Sequence, residues 1–336
     1  MIKTTLGRTG LMVNKDAFGA LPVQRTDMQT AIRLLQKALD GGINFFDTAR
    51  GYSDSEEKIG AALSERRDRF FLATKTPAKK ADDFWKDLET SLGKLKTDYI
   101  DVYQFHNPPN YPRPGDGTGL YEAMLTAKAQ GKIRFIGITN HRLPIAREAV
   151  ESGLYDTLQF PFCYLSDEQE IALTRLCEEK KVGFIAMKAL SGGLITDIGA
   201  ARGWLTQYKG VVPIWGIQRE SELEALFAAM NQETGLTATQ QERIKTDRAE
   251  LSGAFCRGCG YCMPCPAGIV IHICARISLM MRRAPSARFL SEEWKKEMDK
   301  IKNCLHCGNC VSHCPYGLDT PALLEKNYAD YQALLA

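Results

Sequence analysis

From Asp16 to about residue 231, short apolar runs alternate with longer amphipathic segments, and the alternation repeats eight times. The apolar runs, at 17–21, 43–47, 70–75, 99–106, 133–139, 157–160, 183–188 and 211–216, read as interior strands. Between them apolar residues recur at helical spacing. Examples are 28–39, with Ala31, Leu34, Leu35 and Ala38 on one face, and 166–179, with Ile171, Leu173 and Leu176 inward. Strand then helix, eight times over, predicts an α/β protein with a closed (β/α)8 TIM barrel. A doubly wound open sheet is the alternative, but no G-x-G-x-x-G follows the first strand. Residues 1–14 read as a polar hairpin, too short to be a core alone, that caps one end of the barrel.

After Asn231 the periodicity weakens, so 1–231 is expected to be the barrel and 232–253 a linker carrying one polar helix. The second domain, 254–336, holds a cysteine run (256–265), helices at about 269–282 and 291–302, a second run (304–314) and a short helix at 321–335. It is therefore expected to be small and mainly helical.

Composition narrows the class. Of 336 residues, 44% are hydrophobic and 25% charged, which suits a globular chain and neither disorder nor a membrane class. A net charge of +3, with 43 scattered basic residues, argues against nucleic acid. The first ten residues are polar and no apolar stretch approaches a span, so a cytoplasmic protein without a membrane segment is expected. Of 11 cysteines only Cys163 and Cys177 precede residue 250, and that asymmetry points to metal rather than disulfides in the C-terminal part.

Three consecutive predicted strands end in polar residues: Asp47, Lys75 and His106, with Tyr52 in the loop after the first of them. In a parallel barrel these four groups share the C-terminal face, where active sites are built. Singly, each has a structural reading: Asp47 as a cap, Lys75 as a snorkelling surface residue, His106 as a core histidine, Tyr52 as packing. Jointly they suit carbonyl reduction. A phenol titrates at about 10, and an adjacent ammonium lowers it. Lys75 supplies that charge, Asp47 holds Lys75, His106 hydrogen-bonds the substrate oxygen, and Tyr52 is the general acid.

LGRTGLMV, INFFDTARGYSDSEEKIG, the strand-end Lys75, DVYQFH, GITN at 137–140, LQFPFCYL around Gln159, and FIAMKALSGGLI together resemble the aldo-keto reductases over residues 2 to about 230. The resemblance implies a catalytic tetrad of Asp47, Tyr52, Lys75 and His106. It also implies a nicotinamide carboxamide near Asn140 and Gln159, and a pyrophosphate near Ser191, Gly192 and Gly193, where glycines let amides approach phosphate. One block departs from the family. The adenosine segment, beginning at Gly216, reads GIQRESELEALF, with Glu222 where many members place a basic residue and with Ala225 and Leu226 in place of Glu-Asn. Arg219 is the candidate to compensate, and the choice among NADP, NAD and no nicotinamide stays open.

Cys304-x2-Cys307-x2-Cys310-x3-Cys314-Pro315 fits the bacterial ferredoxin run for a [4Fe-4S] cluster. Cys256-x2-Cys259-x2-Cys262-x2-Cys265-Pro266 is its partner, one residue short before the last cysteine. By analogy with ferredoxins, one cluster takes Cys256, Cys259, Cys262 and Cys314, and the other Cys304, Cys307, Cys310 and Cys265. Zinc is the rival for C-x2-C pairs, but two triple runs each ending in Cys-Pro favour iron. Cys274, Cys163 and Cys177 are expected to be buried thiols.

The expected function is an oxidoreductase acting on a small-molecule carbonyl or alcohol, coupled to electron transfer through two [4Fe-4S] clusters. A flavin would bridge one- and two-electron chemistry, yet no flavin motif is visible. The alternatives are a nicotinamide-independent reductase fed by an external ferredoxin-like donor, and a non-catalytic docking subunit. Arg50, Arg113, His141 and Arg142 lie in loops on the expected active face, and Trp204 and Tyr164 either wall the pocket or pack the core.

Overall fold

The computed structural model describes residues 1–232, 235–251, 255–283 and 287–335. Residues 233, 234, 252 and 253 of the expected linker, and 254 at the expected start of the second domain, lie outside them. The chain divides into two compact units, Met1–Ala189 with Ile198–Leu236, and Leu190–Asp197 with Thr237–Ala336.

In the first unit, β1 (Lys3–Thr5) and β2 (Met12–Asn14) pair antiparallel as a hairpin. The strands β3 (Ala17–Gly19), β4 (Phe45–Asp47), β5 (Phe71–Thr76), β6 (Ile100–His106), β7 (Ile133–Thr139), β8 (Thr157–Pro161), β9 (Gly183–Met187) and β10 (Val211–Gly216) close a barrel in chain order. All pairs are parallel, and β10 seals against β3 through Ile214 opposite Ala17. The helices between them are α1 (Met28–Asp40), α2 (Ser55–Leu63), α3 (Ala81–Leu95), α4 (Leu120–Ala129), α5 (Leu143–Glu151), α6 (Glu168–Glu179), α7 (Ile198–Leu205) and, after β10, α8 (Glu220–Met230). The eight expected strands are these eight, with ends moved by a residue or two.

Local chemistry starts the helices where the pattern does. The Asp27 side chain accepts from Thr30 N at 2.9 Å to cap α1, and Asp167 with Glu170 forms a capping box on α6. On α6 the inward face carries Ile171, Leu173 and Cys177, and Leu176 is half-buried. Positions 173 and 177 are four apart and share a face, whereas 176 is rotated off it.

The hairpin is the barrel floor. Leu6, Leu11 and Val13 are buried in one cluster with Ala17, Phe45, Ala73, Val102, Ile185 and Val212 from the strand interiors. Gly7, between the hairpin strands, has φ +53, and a Cβ there would stand 2.2 Å from Gly183 N, so only glycine admits this approach.

The second unit contains α9 (Ala238–Glu250), α10 (Ile271–Cys274), α11 (Ile277–Arg283), α12 (Glu292–Asp299), α13 (Asn309–Ser312) and α14 (Thr320–Leu335). Its core gathers Ile269, Ile271, Ile277, Trp294, Met298, Ile301, Leu324 and Tyr331. The helix expected at 269–282 is broken between α10 and α11. The Ala275 carbonyl there accepts Asn327 Nδ2 at 3.0 Å, and Asn327 Oδ1 accepts from Ser278 N at 3.1 Å, so a side chain of α14 takes over bonds a continuous helix would make. Cys274 is fully buried at this break, and Cys177 and Cys163 are buried in the barrel unit. No helix among the described residues is long and apolar enough to cross a membrane.

Candidate active site and cysteine cavity

Parallel pairing in register brings the strand-end groups together. Asp47 on β4 lies opposite Ala73 on β5, Lys75 opposite Gln104 on β6, and His106 opposite Thr139 on β7. Lys75 is fully buried, and its Nζ donates to Asp47 Oδ1 and to Thr48 O, each at 2.6 Å. Its ammonium lies 5.3 Å from the centre of the Tyr52 ring, and the His106 ring meets Tyr52 edge-on at 5.7 Å between centroids. All four predicted residues therefore meet.

Burial pushes the Lys75 ammonium down and the Asp47 carboxyl up, and their mutual contact opposes both shifts. Asp47 also accepts from Gln104 Nε2 at 3.3 Å and Gln159 Nε2 at 3.4 Å, three donors of the kind an ionised carboxylate satisfies. His106 is pushed down to about 3 by burial and by the Lys75 charge, so its imidazole is neutral at ordinary pH.

Sequence reasoning missed the supports. Gln104 is fully buried; it donates to Gln159 Oε1 at 3.0 Å and accepts from Thr139 Oγ1 at 3.2 Å, which makes a polar girdle beneath Asp47. Gly137 makes room for it, since a Cβ there would stand 2.7 Å from Gln104 Cγ. A polar residue inside a strand buried on both faces must find partners, and that was the available signal in DVYQFH. Glu56 is a second support. It is buried, accepts from Thr74 and Ser91 hydroxyls at 2.7 Å each, and pairs with Arg50, which fixes both ends of the loop that carries Tyr52. Arg50 is thus engaged in a structural pair.

The residues expected around a nicotinamide are found in different states. The Asn140 side chain is buried and occupied at both ends, donating to Pro108 O at 2.9 Å and accepting from Arg142 N at 2.8 Å. Gln159 is buried in the girdle. Ser191, Gly192 and Gly193 belong to the second unit, in a turn where all three have positive φ. Gly216 is exposed at the end of β10. Arg219, at the N-terminus of α8, gives Nε and Nη2 to Glu222 Oε1 at 2.9 and 2.6 Å, while Glu222 Oε2 accepts Gln218 N and Arg219 N. A carboxylate of the chain's own thus occupies this helix end and pairs with the Arg219 guanidinium that was the candidate to compensate in the adenosine segment. Trp204 and Tyr164 are buried, and Trp204 packs on Phe162 and Tyr208 within the unit.

In the second unit, Cys262, Cys265, Cys304, Cys307 and Cys310 line one cavity open to solvent, whose remaining wall includes Ile269, Ile271 and Leu324. Burial first, then the neighbouring Cys256 and Cys259, push the Cys262 thiol up to about 12; burial likewise raises the Cys310 thiol, with Cys304 and Cys307 acting in the same direction. Thiols that raise one another's pKa are thiols that a bound cation or cluster would convert to thiolates. Among the described residues no three His, Cys, Asp or Glu side chains close around a point as a single metal ion requires.

The chain belongs to the aldo/keto reductase family. A family model of that description matches residues 14–200, and one described as a 4Fe-4S dicluster domain matches residues 255–319. Among curated proteins, the uncharacterized oxidoreductase YrpG of Bacillus subtilis is 33% identical over 223 residues, 57% of this chain and 67% of that protein. L-galactose dehydrogenase of Arabidopsis thaliana is 31% identical over 214 residues, 58% of this chain and 67% of that protein. The chain thus spans about two thirds of the length of these relatives. Among solved structures, the holo form of aldo-keto reductase AKR11C1 from Bacillus halodurans has a TM-score of 0.64 at 23% identity, covering 74% of this chain and 96% of that one. An aldo-keto reductase from Klebsiella pneumoniae in complex with NADPH has a TM-score of 0.63 at 23% identity, covering 73% and 95%. These likenesses carry the fold. With the oxidoreductase relatives, the family makes the chain an oxidoreductase on a TIM barrel that carries a 4Fe-4S dicluster domain.

Proposed function

We propose that the barrel interconverts a small carbonyl compound and its alcohol, with Tyr52 giving the proton to the carbonyl oxygen, and that the clusters of the second unit carry electrons. The observation that carries this reading is the buried Lys75–Asp47 pair with its ammonium 5.3 Å from the centre of the Tyr52 ring. Tyr52 is the proton donor because a phenol at about 10 gives up its proton readily only beside a positive charge. Lys75 stabilises the phenolate left behind, and Asp47, held by Gln104 and Gln159, keeps Lys75 in place. The neutral His106 imidazole offers a hydrogen-bond donor to the oxygen as charge develops there.

A nicotinamide, when bound, supplies a hydride to the carbonyl carbon. The Arg219–Glu222 pair favours an adenosine ribose without a 2'-phosphate over one that carries it, because Glu222 repels phosphate and occupies the guanidinium. The same observation supports a second reading, in which a one-electron donor feeds the clusters and no nicotinamide is used. The two clusters would be held by Cys256, Cys259, Cys262 and Cys314, and by Cys304, Cys307, Cys310 and Cys265, in the domain 254–336; the cavity wall, which carries all four of the second set together with Cys262 of the first, supports a cluster site there. A docking role without catalysis is disfavoured by the complete tetrad.

Anaerobic titration of the protein with NADH, NADPH and a chemical one-electron donor, read by cluster absorbance, separates the first two readings. Under either one, Tyr52→Phe lowers carbonyl turnover by about 10²- to 10⁴-fold. Turnover retained by that variant rules out Tyr52 as the acid.

A further inference from the structure

Arg276 lies in the break between α10 and α11 and is 4% exposed. Its Nη2 donates to Gly192 O at 2.8 Å and reaches Ser191 O at 3.5 Å. Its Nη1 lies against the turn of the first cysteine run, for a Cβ on Gly258 would stand 2.3 Å from it. Gly258 has φ +63, and its amide donates to Cys256 Sγ at 3.4 Å. A single buried guanidinium is thus pressed between the 191–193 turn and the loop that presents Cys256, all within the second unit.

Its partners are incomplete for a cation. Nε has no hydrogen-bond partner among the described residues, and no carboxylate there pairs with the group. A guanidinium buried without an anion is strongly unfavourable, so the chain must supply a negative charge at this place. A cube ligated by four thiolates is anionic in both oxidation states and gains one more negative charge on taking an electron.

We propose that Arg276 is the counter-charge of the cluster bound through Cys256, Cys259 and Cys262 and sets its reduction potential, as a positioning residue that touches no substrate. The proposal rests on the two-cluster reading of this unit. A positive charge buried beside the cluster stabilises the form that has accepted an electron from a one-electron donor, and therefore raises the potential.

The test is an anaerobic potentiometric titration of the full chain followed by electron paramagnetic resonance, with iron and sulfide counted on every sample. In Arg276→Gln with full iron, one of the two cluster potentials falls so that, at the wild-type midpoint, the oxidised-to-reduced ratio rises about tenfold, or ~59 mV for one electron. Arg276→Lys keeps both potentials near the wild type, because it keeps the charge. Two unchanged potentials in a fully loaded Arg276→Gln overturn the proposal. If Arg276→Gln loses iron, Arg276→Lys decides: retention of iron and potential supports a role for charge, and loss there too shows that the side chain only braces the Gly192 carbonyl. A wild-type protein without [4Fe-4S] signals removes the two-cluster reading itself, and the proposal with it.

Discussion

At position 106 a histidine is held neutral by two causes that act together, burial and the Lys75 ammonium, which push it from about 6.5 down to about 3. The unfolded chain therefore binds this proton over the interval between those values while the folded chain does not. The stability that the group contributes is complete above about pH 6.5 and is lost as the pH falls toward about 3. His106 imidazole resonances should accordingly show no titration between about pH 8 and about pH 5, and a midpoint near 6.5 in that NMR titration contradicts the environment described. The acid limb of any rate profile then belongs to another group. Asp47, Tyr52, Lys75 and His106 were legible because each ends or follows a strand. Gln104 and Glu56 were not, because a buried polar side chain is recognised by the partners it finds, and those partners come from other strands.

At the scale of elements, β6 and β7 position the girdle through one missing side chain. A Cβ on Gly137 would stand 2.5 Å from Thr157 Oγ1 and 2.7 Å from Gln104 Cγ, in a strand with buried neighbours on both sides. Gly137→Ala should cost about 1–3 kcal/mol by overpacking. Because it displaces Gln104 from Asp47, it should also reduce turnover more than an equally destabilising change on the outer face of an α-helix. Chemical denaturation and steady-state rates measured on both variants check this, and equal losses of rate would mean that the girdle does not bear on the site. The strands themselves were legible from their apolar runs. The break between α10 and α11 was not, since it depends on Asn327 reaching across from α14 to claim the Ala275 carbonyl.

For the molecule as a whole, the barrel unit and the cysteine unit make separate and separable demands. Two clusters correspond to about eight irons per chain. Anaerobically prepared protein should approach that figure, Cys265→Ser should fall to about half of it, and Cys274→Ser should stay at the full value. Cys274 is fully buried in the apolar core, where burial pushes its thiol up to about 12. Iron loss in Cys274→Ser with the fold intact would place that thiol among the ligands.

The sequence by itself determined the barrel, its eight strands, the strand-end positions of Asp47, Lys75 and His106 with Tyr52 in the adjoining loop, and the two cysteine runs, because strand periodicity, strand-end position and C-x2-C spacing are local properties of the chain. Only the tertiary structure decided the rest. It set Arg219 against Glu222 at the head of α8, buried Arg276 between the 191–193 turn and Gly258, and joined Gln104, Thr139 and Gln159 beneath Asp47. Each of these is a polar group whose energy depends on what surrounds it once water is removed, and that surrounding is assembled from residues far apart in the chain.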